Sequence, residues 1–161
     1  MALSGDRARL YEEEAKRKSG ITAGEAVSSP LYSIREAVCA SYMCLRLDTS
    51  GKVLELIAFS EKGDLTELRP HLADDAVTWA CFSFSPGAPH AESSRKIAFF
   101  GCVGSSVGAI KRGKVALQKS GVMLSLGDIA ADVGIFQGSA EVTDEAILTE
   151  LRRNFPAASL L

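Results

Sequence analysis

The sequence has little of what hydrolytic enzymes, metalloproteins and secreted domains rely on. Only two histidines, His71 and His90, occur among its 161 residues, so candidates for a general base or a metal ligand are few. The four cysteines at 39, 44, 81 and 102 form no Cys-x-x-Cys pair. In a reducing cytosol they read as small core residues, and neither a metal site nor any other cofactor is expected. The longest uncharged stretches, 76–91 and 97–110, are interrupted by Gly, Ser or Pro, and both fall short of the roughly 18–20 residues of a membrane helix. Charges at Asp6, Arg7, Arg9 and Glu12–Glu14 speak against a secretory leader. The closing Ser159-Leu160-Leu161 lacks the basic residue of a peroxisomal address. A cytoplasmic protein without a membrane span is the default expectation.

One further absence is local. Residues 93–127 contain no Asp or Glu, yet hold Arg95, Lys96, Lys111, Arg112, Lys114 and Lys119. The segment therefore carries +6 within a chain whose net charge is only −2. A local excess of this kind steers an acidic partner even when the whole molecule is near neutral.

The remaining composition, 47% apolar and 24% charged, is that of an ordinary soluble domain. A single domain over 1–161 is expected, with 19–38 as a probable loop insertion and 156–161 as a short tail. Ala8, Tyr11 and Ala15 predict a helix over 5–18. The Gly/Ser/Thr-rich 20–29 reads as loop, with a short helix over 31–38. Strands are expected at 40–48, 52–60, 77–85, 96–103 and 131–137. The first two form a hairpin around Asp48-Thr-Ser-Gly51. Asp64 and Glu67 form a capping pair for a helix that Pro70 ends. Helices follow at 107–119 and from a Thr143 cap, the latter with Ile147, Leu151 and Phe155 as its buried stripe. This order implies an α/β fold of α+β type, a five-stranded mixed β-sheet sandwiched by helices.

Catalytic motifs are wanting. Gly101-x-x-Gly104-x-x-x-Gly108 follows a strand and opens a helix, as phosphate cradles do, but matches neither the P-loop nor the dinucleotide spacing. It reads as a tight turn. No Gly-x-Ser-x-Gly or His-Glu-x-x-His occurs. On the 107–119 helix, counting about 100° per residue puts Lys111, Arg112, Lys114 and Lys119 in one sector, with Ile110 and Leu117 in another. This predicts a surface helix with a basic outer face. Lys96 starts the preceding strand, at the end away from the turn. Nucleic acid is not the expected partner, because Phe99 and Phe100 sit in a strand that reads as buried, not interleaved with the cations.

Ser94–Gly104 followed by Val107-Gly-Ala-Ile-Lys-Arg-Gly-Lys114 resembles the coactosins of the actin-depolymerising-factor homology family. There too a basic residue leads a hydrophobic strand ending in Val/Ile-Gly, and a basic-rich helix opens after it. Arg9-Leu-Tyr-Glu-Glu13 resembles that family's first helix, and 143–154 resembles its closing helix. The chain departs from the family at Gly101-Cys102, where Thr-Trp is usual. The resemblance implies the actin-depolymerising-factor homology fold and a non-catalytic, cytoskeletal actin-filament binder in the cytoplasm. Such a module acts by occupancy, stabilising filaments or competing with disassembly factors. The helix opening is more similar to coactosin than to cofilin, which implies filaments as partner with weak or no binding of monomeric actin. The implied contact residues are Lys96, Ile110, Lys111, Arg112 and Lys114. A monomer is expected. The alternative is a basic-patch module for anionic lipid or RNA.

Overall fold

The structure, a computed structural model, describes residues 9–10, 20–87 and 95–160. The helix expected over 5–18 therefore lies outside the described residues, apart from helical Arg9 and Leu10. The chain runs β1 (Thr22–Ala23), α1 (Glu25–Arg35), β2 (Tyr42–Leu47), β3 (Val53–Ser60), α2 (Leu65–Leu68), β4 (Val77–Phe84), β5 (Lys96–Val103), α3 (Ala109–Leu126), β6 (Ala131–Gln137) and α4 (Asp144–Leu151), with single 3-10 turns at Arg69–His71 and Ser139–Glu141.

These strands form one mixed sheet in the order β1-β3-β2-β4-β5-β6. The β1–β3 and β5–β6 pairs are parallel, and the rest are antiparallel. The sheet thus has six strands where five were expected. The extra one is β1, two residues long and paired with Val53 and Leu54, too short to show an alternating pattern.

Residues 19–38 are not a loop insertion. Val27, Pro30, Leu31 and Ile34 are buried along one face of α1, the three-and-four spacing of an amphipathic helix. Pro30 removes one backbone donor inside the helix, and Gly24 supplies no side-chain cap. Tertiary burial outweighs both. The α1 stripe completes one core with Met43, Leu45, Trp79, Phe99, Val103, Val115 and Val122. The opposite sheet face packs Tyr42, Phe82, Phe84, Phe100, Leu68, Ile147 and Leu151 into a second core. Helices thus cover both faces, and β4 and β5 between them are almost wholly buried, as two-sided strands must be.

Local signals elsewhere act as expected. Asp64 Oδ1 accepts from the Thr66 and Glu67 amides, and Thr143 Oγ1 accepts from Ala146 N. Pro70 converts the end of α2 into a 3-10 turn. The α4 helix stops at Leu151, yet Phe155 still packs edge-on against Phe84, with ring centroids 5.2 Å apart.

The glycine motif is a turn. A Cβ at Gly104 would collide with the backbone of Asp74, while Gly104 N and Ser106 N donate to Ala76 O and Asp74 O. At Gly101 a Cβ would stand 2.6 Å from the Trp79 ring. Trp79 pairs with Gly101 across the β4–β5 ladder and stacks on Phe99, with centroids 5.6 Å apart. A tryptophan on β4 therefore covers the space left by the glycine on β5, a compensation known for strand glycines.

Candidate functional site

Val115, Val122 and Leu126 fix the buried face of α3. The helix has 18 residues, about 27 Å of rise, and its first half presents a different face to solvent. Ile110 is 78% exposed and Leu117 83%, with Lys111 and Lys114 exposed beside them. The sector that holds Ile110 and Leu117 is therefore not the core-facing one. It is the outermost, and it lies next to the lysines. The result is a ridge with an apolar and a cationic component, held on a rigid element.

Not every cation of the 93–127 segment joins it. Arg112 turns inward: its guanidinium donates to Gly104 O at 3.1 Å, to Val107 O at 3.5 Å and to Gln137 Oε1. It staples the turn preceding α3. Lys119 pairs with Asp132 at 2.5 Å. Arg95 donates to Ser83 Oγ and O, both at 3.1 Å, and to Leu160 O at 3.0 Å, so it ties the C-terminal segment to β4. Its burial lowers the guanidinium pKa from the ordinary value. The basic outer face consists of Lys111 and Lys114, not of four cations.

Lys96 lies elsewhere. It opens β5 and lines a cleft of about 510 Å³ with Arg35, Glu36, Arg95, Asp128 and Ile129. These residues sit by the C-terminal end of α3, while Lys111 sits by its start. Along the helix that separation is about 22 Å. Of the five residues implied by sequence, the structure brings Ile110, Lys111 and Lys114 together on one surface. It sets Arg112 beneath them and Lys96 at the far end. Leu117 was missed as a surface residue. The available signal was its i+7 spacing from Ile110 and i+3 spacing from Lys114, which keeps all three on one side of a helix.

Beside the ridge, Lys111, Lys114 and Gln118 form one wall of a cleft of about 410 Å³, and Arg46–Gly51, Asp75–Val77 and Trp79 form the rest. The chemistry offered is recognition by charge and apolar contact. Burial pushes the Cys44 thiol up to about 12 and Cys102 to about 11, so neither supplies a thiolate nucleophile near neutrality. Among the described residues, no group of His, Cys, Asp and Glu could hold a metal ion. Among them, too, no helix is long and apolar enough to cross a membrane.

The two-faced mixed sheet, with a solvent-facing ridge on α3, the longest helix among the described residues, has the actin-depolymerising-factor homology fold. The chain belongs to the family of cofilin/tropomyosin-type actin-binding proteins, whose sequence pattern matches residues 20–152. That match takes in β1 and α1 and starts after residues 1–19, so the segment read as an insertion lies within the family domain. No curated protein sequence matches the chain. Among solved structures, coactosin from Entamoeba histolytica is 18% identical with a TM-score of 0.66, covering 84% of this chain and 96% of its own. Streptomyces griseoflavus cofilin is also 18% identical, TM-score 0.65, covering 83% and 98%. Glia maturation factor from Caenorhabditis elegans is 11% identical, TM-score 0.67, covering 81% and 94%. At these identities the likeness establishes the fold.

Proposed function

We propose that the protein is a non-catalytic, cytoplasmic actin-filament binder of coactosin type that uses the α3 ridge as its principal contact. It would act by occupancy, stabilising filaments or competing with disassembly factors. The observation that carries this reading is the exposure of Ile110 and Leu117 beside Lys111 and Lys114. Exposed large apolar side chains on a rigid helix supply binding area, and the lysines supply complementarity to an acidic partner. Lys96 is then a second, separate contact, which suits a partner with an extended surface such as a filament. Arg112 supports the site by holding the turn before α3.

High-speed co-sedimentation with actin filaments tests the reading, alongside a binding assay on monomeric actin. Pelleting with filaments and weak or no signal on monomer is expected. Lys111→Ala/Lys114→Ala should weaken pelleting about tenfold, equivalent to roughly 1.4 kcal/mol, and Lys96→Ala should weaken it independently. Failure to pellet, with pelleting on anionic vesicles or single-stranded RNA instead, would replace actin by another acidic surface.

A further inference from the structure

A cation and a buried donor, both without a partner among the described residues, belong to one cleft. Lys96 is half-buried yet makes no ion pair among those residues. It lines the cleft of about 510 Å³ by the C-terminal end of α3 together with Arg35. Arg35 closes α1, and its Nη2 meets Asp128 Oδ2 at 3.2 Å. Its Nε is buried and has no acceptor. Buried donors are normally paired, and leaving one unpaired costs stability. The contact with Asp128 therefore uses one arm of a guanidinium edge that can hold a carboxylate with two.

The loop that carries Asp128 is fixed. Gly127 caps α3 at φ 68° and Asp128 follows at φ 47°. Among side chains other than glycine, Asp and Asn tolerate this left-handed conformation best. Ala130 N then donates to Ile97 O at 2.8 Å, which ties the loop to the start of β5. Arg35, Arg95 and Lys96 against Glu36 and Asp128 leave the lining at a net +1. Arg95 is already committed to Ser83 and Leu160. One added negative charge neutralises the cleft, whereas a phosphate group of about −1.5 to −2 would overshoot against two carboxylates. Ile129 adds apolar lining for the methylenes of an acidic side chain.

We propose that this cleft is a socket for one carboxylate of a protein partner, bound between Lys96 and Arg35, and that Asp128 tempers it by holding Arg35 in the free protein. Binding turns the guanidinium from Asp128 to the incoming carboxylate, which accepts from both Nε and Nη2. The Arg35 side chain is 39% exposed, so the turn needs no backbone movement. Salt weakens the contact by screening. That the partner is an actin filament rests on the function proposed above; the socket itself does not.

Two measurements on the full chain separate these. The first needs no actin. In amide NMR spectra, a capped hexaglutamate peptide should shift residues 35–36, 96–97 and 128–130 saturably, and Lys96→Gln should abolish those shifts. Asp128→Asn keeps the left-handed backbone and frees Arg35, so it should tighten the peptide about two- to fivefold, the scale of one exposed ion pair. A merely structural Arg35–Asp128 pair would give no such gain, and unchanged or weaker peptide binding by Asp128→Asn would overturn the socket. Shifts confined to the ridge of Lys111 and Lys114, or the same cleft shifts from inorganic phosphate at equal or lower concentration, would do so too. The second measurement is filament co-sedimentation of the parent and Asp128→Asn. Tighter pelleting by the variant, over the same range, is expected. Equal or weaker pelleting would remove the socket from filament binding. If neither protein pellets, the assigned partner fails and the peptide titration alone decides the socket.

Discussion

At residue scale, Trp79 over Gly101 shows how a glycine inside a buried strand is accommodated without losing the sheet. The side chain that fills the space above the glycine sits on another strand, twenty-two positions earlier in sequence, where no local pattern reveals it. Gly101→Ala should overpack this contact and cost about 1–3 kcal/mol, measured by urea unfolding. The cysteines offer a second check. Cys44, Cys81 and Cys102 are buried and Cys39 is half-buried, so a thiol reagent should label Cys39 first and the other three only on unfolding. Burial raises the Cys44 and Cys102 pKa values above the ordinary 9.0. The fold therefore prefers the protonated thiols, and their stabilising effect is complete below about pH 9. It is lost as pH climbs toward 11–12. Unfolding free energy should decline over that window, and less so in the Cys44→Ala/Cys102→Ala variant compared with its own value at pH 8.

At element scale, legibility depended on how much of the information was local. The strands β2 to β6 were readable because alternation or an unbroken apolar run extended over six or more residues. The caps at Asp64 and Thr143 were readable because their partners are two or three residues away. Only the second half of α1 was legible, as the short helix expected over 31–38, because Gly, Ser and an internal proline argue locally for loop before it, while the core that stabilises it comes from β2, β4 and β5. Ile34 is wholly buried there. Ile34→Ala should cost about 2–5 kcal/mol in chemical denaturation, whereas a residue in a dispensable insertion would cost almost nothing. Thr143→Ala should cost about 1 kcal/mol by losing the α4 cap.

At the scale of the whole molecule, charge count misleads and geometry corrects it. Six cations without an acid between them suggested one basic patch. Folding spends Arg95 on the C-terminal segment, Arg112 on a turn and Lys119 on an ion pair. It parts Lys96 from Lys111 and Lys114 by the length of α3. What remains is a small ridge with an apolar half, of which Ile110 was implied by the resemblance while Leu117 stood out only once the buried face of α3 was known. The family and its fold could be seen in the sequence, but the arrangement of the site could not, because side-chain partners across elements decide it. The most direct test of the account is filament co-sedimentation of the parent and of Ile110→Ser/Leu117→Ser, two exposed positions whose change should leave the melting temperature intact. Binding by the parent and a loss of about tenfold or more in the variant is the predicted result. Equal binding by both, with the fold unchanged, would contradict the assignment of the α3 ridge as the actin contact.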